Sequence, residues 1–397
     1  MPERWIGRTF EPYLTAPPAG LQLFPVWLVL GPRQVGKSSL LTHCAPERQY
    51  INLDDLATRA RANADPVLFA RELRPPLIID EIQYAPELLS PVKQLADASG
   101  QPGVIWLTGS QSFQVMRGVR ETLAGRVAIL RLLGLSDEEK RLAADDRTPP
   151  AYFEALVRTG FPKLWPVADP DARDLYLSSY THTYIERDVR EVLQVDKRRE
   201  FELFLRLCAL RTGCIVNFDE LGRDAGVSAA TVKSWLSVLE DSFLIKLIQP
   251  EHRNRSKRLI KSPKLYFLDV GLAAFLAGWK SGELLRLGPM GGAAFETHVL
   301  SEILKRFRHR AREVEVRFWR TRDGQEIDLL VEARGRVHPI EVKLGLPAAR
   351  ALPRLGAIAA PSWTTGHVVT LAISTGQALS EEWRAIPPWE LDFLQDA

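Results

Sequence analysis

The residues Gly31-Pro32-Arg33-Gln34-Val35-Gly36-Lys37-Ser38 constrain this chain more than any others. They fit G-x-x-x-x-G-K-[ST], a loop that cradles phosphate, and such a match counts only between a strand and a helix. Val26-Trp27-Leu28-Val29-Leu30 precedes it, apolar and short enough for a buried strand. Ser38-Ser39-Leu40-Leu41-Thr42 follows and reads as a helix start. Glycines let backbone N–H groups close around phosphate oxygens, and the helix N-terminus adds partial positive charge. Residues Gly31 to Ser39 are therefore expected to hold ATP. Lys37 reaches the β- and γ-phosphates, and Ser38 ligates Mg²⁺.

The stretch before the loop, residues 1–24, reads as a lead-in with a turn at Pro17-Pro18-Ala19-Gly20. After the loop, apolar runs alternate with helical segments, which argues for a parallel α/β sheet. Further strands are predicted at Tyr50–Leu53, Leu77–Glu81, Val104–Ser110 and Val127–Leu132. The third ends in Asp80-Glu81. A buried strand can deliver the first acid to Mg²⁺ and leave the second to activate the attacking water. Thr108-Gly109-Ser110 stands where a hydroxyl can sense the γ-phosphate, and Ser110 is favoured. Arg126 precedes the fifth strand. It is either a surface arginine or one donated across a subunit boundary to stabilise transition-state charge.

GPRQVGKS, LIIDEIQYAP, LTGSQ, LAGR and later YIERDV occur in that order. The set resembles a large prokaryotic family of AAA-type ATPases whose members carry a C-terminal domain of unknown function. The resemblance runs from about Arg33 to Val342. It implies an AAA+ module working as a ring, with ATP between subunits and Arg126 as a finger. The expected architecture is α/β: an AAA+ P-loop NTPase core (residues 1–135), a helical lid (136–196), a winged-helix domain (197–270) and a restriction-endonuclease-like α/β domain (271–397). In the family, YIERDV belongs to the lid. Arg187 is there a second sensor of nucleotide phosphate, or pairs on the helix surface.

Lid helices are predicted over Asp137–Leu142, Tyr152–Thr159 and Arg173–Leu193, with a break at Gly160-Phe161-Pro162. From Phe218 the pattern is helix, glycine turn, helix, with Ser228 as N-cap. Val232, Trp235, Leu236 and Leu239 form one apolar helix face. Two strands follow, Phe243–Ile248 and Lys264–Leu268. Between them lies a one-signed basic run containing Arg253, Arg255, Lys257, Arg258 and Lys261. That composition suits phosphate contacts, which give affinity without sequence choice. It equally suits a solvated loop or an acidic partner surface. Lys233 is the one basic residue on the exposed face of the second helix, which argues against base-specific reading.

Phe295-Glu296 opens an amphipathic helix, followed by strands at Val314–Trp319, Glu326–Val331 and Val337–Val342. Glu341 and Lys343 fall on one strand face. Asp328 starts the neighbouring hairpin strand. This Asp…Glu-x-Lys pattern resembles the PD-(D/E)xK nuclease fold. The resemblance implies that Glu296, Asp328 and Glu341 hold Mg²⁺ or Mn²⁺ and that Lys343 positions water, or that the fold is kept for DNA binding or packing. The run Lys305–Arg310 with Arg312 is compatible with a DNA groove.

A net charge of +3 over 397 residues does not itself announce nucleic acid. Three cysteines without a CxxC pair fit a reducing cytosol. No apolar run reaches the length of a membrane span, and Met1 to Thr15 does not resemble a signal peptide. The expectation is a cytoplasmic, homo-oligomeric ATPase, hexameric by the resemblance, that contacts DNA by shape, four-way junctions included. The alternatives are an ATP-gated, metal-dependent nuclease of repair or defence, and a signalling ATPase with a protein partner.

Overall fold

Every residue of strand β1 (Val26–Leu30) is buried, as its unbroken apolar sequence requires of a central parallel strand. The computed structural model describes residues 5–110, 118–119, 121–140, 147–185, 198–251, 262–321, 324–358 and 362–396. Around β1 stand β2 (Gln49–Asn52), β3 (Leu77–Asp80), β4 (Ile105–Gly109) and β5 (Val127–Arg131). All pairs are parallel, in the order β2-β3-β4-β1-β5. The chain thus has an α/β fold on a parallel sheet, with each predicted strand within a residue or two of its expected bounds. β4 lies between β1 and β3, so the C-terminal ends of three adjacent strands converge.

The lead-in segment is part of this unit. Arg8 is buried, and its guanidinium donates to Val35 O and to Leu133 O, each at 2.8 Å. Glu139 lies 3.1 Å from Arg8 Nε.

Helices Pro149–Val157 and Pro170–Tyr180 follow, separated by Thr159 in the left-handed region and by the expected break. A π-turn over Thr181–Ile185 ends the second. Helices Phe218–Ala225 and Ala229–Asp241 then turn at Gly226, with φ of +73°. Ser228 caps the second helix by accepting from Thr231 N. Its predicted apolar face is buried in full. The hairpin β7 (Ile245–Pro250) and β8 (Lys264–Phe267) comes next, with β6 (Cys214–Ile215) on its outer edge.

β9 (Glu315–Arg320), β10 (Glu326–Ala333) and β11 (Arg336–Val342) form an antiparallel meander. Its second turn, Arg334-Gly335, has positive φ at both residues, as a two-residue hairpin demands. β12 (Gly366–Val369), β13 (Gln377–Ala378) and β14 (Trp383–Ile386) complete the sheet. β7 pairs in parallel with β9, so among the described residues one nine-stranded sheet runs β13-β14-β12-β11-β10-β9-β7-β8-β6. The hairpin after the helix-turn-helix and the C-terminal strands are one sheet.

Helix Gly291–Arg308 is central rather than amphipathic. Every residue from Thr297 to Arg308 is buried. Several of its polar groups bond within the fold: Ser301 donates to Leu268 O at 2.7 Å, and Lys305 to Leu135 O at 3.0 Å and Glu302 at 2.8 Å. Arg306 pairs with Asp392 and Arg310 with Glu138. The run Lys305–Arg310 is therefore not an open basic groove. It packs against the segment that follows β5. Leu133 N–H donates to His309 Nε2 at 3.2 Å, which assigns the ring proton to Nδ1, 3.3 Å from Glu139.

Candidate functional site

The phosphate loop is built on steric necessity. A Cβ at Gly31 would stand 2.0 Å from Leu132 O, so only glycine lets β1 turn beside β5. Gln34 and Gly36 both take positive φ, and Gly36 leads into helix Lys37–Cys44. Lys37 is buried and donates to Gly31 O at 3.0 Å and Pro32 O at 2.9 Å. Arg33 donates to Tyr84 OH at 2.9 Å. Ser39 is exposed on the first turn. Above the loop, Tyr176 of helix Pro170–Tyr180 donates to the Gln34 side chain at 3.2 Å.

Asp80 and Glu81 meet this loop across β4. Ser38 Oγ lies 2.7 and 2.8 Å from the two Asp80 carboxylate oxygens. Tyr50 OH donates to Asp80 at 2.7 Å, and Thr108 OH also donates to it. Glu81 stands in the left-handed region at φ +56°, uncommon for a side chain of this size and a mark of a constrained site. Its backbone N–H donates to Thr108 Oγ1 at 3.0 Å. Its carboxylate accepts from Ser110 at 3.1 Å and from the Gln83 amide. Burial pushes the Glu81 carboxyl up. Lys37, Gln83, Arg33 and Ser110 outweigh that and hold it below the usual range, so it stays ionised. A hydroxyl and a carboxylate side by side, with an ammonium next to them, fit Mg²⁺ and nucleotide phosphate.

Arg126 is not in this cluster. Its carbonyl accepts from Val26 N at the opposite end of β1, five strand residues, or roughly 16 Å, from the loop. It pairs with Asp97 on the surface. Arg187, Arg253, Arg255, Lys257, Arg258 and Lys261 lie outside the described residues. Lys233 is exposed, with its ammonium 5.1 Å from the Phe218 ring centroid.

The second predicted constellation is also assembled. A register shift in the β9–β10 pairing between Ile327 and Leu330 re-aims Asp328, as bulges beside sites do. Val342 N–H donates to Asp328 Oδ2 at 2.9 Å. Lys343 lies 3.0 Å from Asp328 and 2.6 Å from Glu341. Glu296 projects from the central helix and accepts from Tyr266 OH. Sequence reasoning missed Lys264, the buried lysine among these acids. It lies 3.0 Å from Glu296 and 3.9 Å from Asp328, and pairs with Glu326. Burial and the Asp328 charge push Glu341 up to about 8 and Glu296 up to about 7. Gln83, Tyr50 and Arg8 were missed as well. Gln83 stands inside the quoted LIIDEIQYAP run, whereas nothing marks Tyr50 or Arg8.

Residues 24–140 match the AAA domain family. Residues 149–283 match a domain of unknown function (DUF8612), and residues 291–387 another (DUF4143). An uncharacterized protein of Mycobacterium tuberculosis is 30% identical over 323 residues, 80% of this chain and 70% of the relative. An uncharacterized protein of Mycobacterium bovis gives the same figures. Among solved structures, a Walker-type ATPase of Pyrococcus abyssi is 17% identical, covering 64% of this chain and 91% of its own, at a TM-score of 0.42. A signal transduction ATPase with a tetratricopeptide repeat sensor from Pyrococcus horikoshii is 14% identical, covering 75% and 48%, at 0.23. Likenesses that loose carry no argument. The relatives and the AAA domain do: the chain belongs to a family of AAA-type ATPases that it shares with these uncharacterized mycobacterial proteins.

Proposed function

We propose that the protein hydrolyses ATP as an assembly of copies and uses the cycle to remodel DNA. The observation that carries this reading is the separation within one sheet. Lys37, Ser38, Asp80, Glu81 and Ser110 converge at the C-terminal strand ends, while Arg126 stands at the other edge. Within one subunit Arg126 cannot reach the phosphates, so its part in hydrolysis is played on a neighbouring copy. Lys37 binds the β- and γ-phosphates, Ser38 and Asp80 hold Mg²⁺, and Glu81 takes the proton of the attacking water. Bound Mg²⁺ supplies neutralisation of the developing phosphate charge. Ser110 and Gln83 orient Glu81.

DNA contact is assigned to the helix-turn-helix and the basic run between β7 and β8. The exposed face of helix Ala229–Asp241 offers Ala230, Lys233, Ser234 and Ser237, of which Lys233 alone is a side chain that reads base edges bidentately. This supports recognition of backbone shape, as at branched or four-way junctions. A hexameric ring follows from the family resemblance. The test is a binding panel at fixed salt (single strands, duplex, forks, four-way junctions) with turnover followed alongside. Turnover per subunit should rise with protein concentration and with DNA, most with junctions. Concentration-independent turnover that ignores DNA, with no DNA binding even at low salt, overturns the reading.

A further inference from the structure

Lys264 is the least expected group in the C-terminal fold. Its side chain is 3% exposed. It comes from β8, the hairpin strand, and reaches acids from the central helix and from β10. Its ammonium lies 3.0 Å from Glu296 Oε1, contacts Glu326 and stands 3.9 Å from Asp328 Oδ1. Asp328 turns its other oxygen to Lys343, which also pairs with Glu341. Four carboxylates thus share two ammoniums and the guanidinium of Arg320, 3.0 Å from Glu326, with Asp328 between the two lysines.

A divalent ion needs several carboxylate oxygens about 2.0–2.6 Å from one point. The point that Glu296, Glu326 and Asp328 surround is held by the Lys264 nitrogen. An ammonium there supplies three N–H donors to oxygens that would otherwise face one another. Removing it would leave buried carboxylates uncompensated. A second acid cluster follows the same rule. Asp137, His298 and Glu302 offer ligand atoms within 4.8 Å of one another, yet Lys140 lies 3.8 Å from Asp137 and Lys305 2.8 Å from Glu302.

We propose that Lys264 is the resident cation among Glu296, Glu326 and Asp328, and that it takes from any divalent ion two of the three acids, Glu296 and Asp328, that the nuclease resemblance would give to a metal. The cluster accordingly takes no divalent ion and cuts no nucleic acid. Its acids serve to fasten the β7–β8 hairpin to the central helix and β10.

The test uses nucleotide-free, full-length protein titrated with Mn²⁺, read by the paramagnetic resonance of the free ion. Wild type and Asp328→Asn should bind Mn²⁺ alike, within about two-fold, because any weak binding at the phosphate loop is common to both. Lys264→Met should gain one site at least about tenfold tighter, and adding Asp328→Asn should remove it. A wild-type site that disappears in Asp328→Asn or Glu341→Gln overturns the proposal. So does Mn²⁺-dependent DNA cutting that Glu341→Gln abolishes, and so does a folded Lys264→Met that gains no site. If Lys264→Met does not fold, the wild-type comparison with Asp328→Asn and Glu341→Gln decides alone. The ATP-turnover panel does not enter this outcome, so the two readings fail separately.

Discussion

Ser38 Oγ lies 2.7 Å from Asp80 Oδ1 and 2.8 Å from Oδ2, so one hydroxyl proton is shared by both carboxylate oxygens. Tyr50 and Thr108 fix the same carboxylate from two other strands. The hydroxyl and the acid are thus pre-positioned for one divalent ion. Asp80→Asn should still bind ATP, but Mg²⁺ should no longer strengthen that binding, and turnover should fall roughly 100-fold or more. A fluorescent ATP analogue titrated with Mg²⁺ and with chelator reads this directly. Unchanged Mg²⁺ dependence in Asp80→Asn would sink the assignment. Lys37→Ala should lose ATP binding altogether in the same titration.

Glu81 is held ionised, strained at positive φ and tied to Ser110 and Gln83. Glu81→Gln should keep ATP affinity and lose turnover by about 10²–10⁴-fold, the usual worth of a general base. Gln83→Ala should lower turnover, because it removes one of the two groups that orient the carboxylate and hold it ionised. Steady-state phosphate release checks both. Persistent turnover in Glu81→Gln would show that another group activates the water.

Arg126 at the far edge of the sheet makes a prediction about mixtures. Arg126→Ala alone should cost about 10³-fold in turnover, the low end for an arginine supplied in trans. Lys37→Ala alone should be inactive. Mixing the two should restore part of the activity, since some interfaces pair an intact loop with an intact arginine. Rates measured across mixing ratios give the answer, and a flat line returns Arg126 to its surface pair with Asp97.

His367 is pushed down to about 4 by burial, with His338 and Arg384 adding to the effect, and it stacks on Phe393 at 4.0 Å. In the unfolded chain it takes a proton as pH falls through its ordinary value of 6.5. In the folded chain it does not until about 4. Folding therefore loses stability from this group as pH drops between those values. His367→Phe should flatten that dependence by up to one proton. Urea unfolding at several pH values, compared with wild type, measures it. Parallel curves for the two proteins would refute the claim.

Much of the sheet and the phosphate site could be read from the sequence, because both are local: a strand, a loop and a helix adjacent in the chain, and acids at a strand end. Glu296, Asp328, Glu341 and Lys343 were legible for the same reason, each marked by its place on a strand or helix. Lys264 was not. In sequence it is an ordinary lysine at a strand start, and its partners are 32 to 64 residues away. The run Lys305–Arg310 misled in the opposite direction. Composition shows the charges but not the acids that quench them, and Glu138, Glu139 and Asp392 come from distant segments. The merging of two sheets was also invisible, since strand pairing between distant edges leaves no periodic trace.

That merger rests on little backbone: Gln249 opposite Arg317, Pro250 opposite Phe318, and Glu251 N–H donating to Phe318 O at 2.7 Å. Its consequence is evolutionary as much as mechanical. A fragment ending before β9 would leave the outer side of β7 bare, a ready template for intermolecular pairing and aggregation. The helix-turn-helix hairpin and the C-terminal strands are therefore poor candidates for gene shuffling as separate cassettes, and should be inherited together.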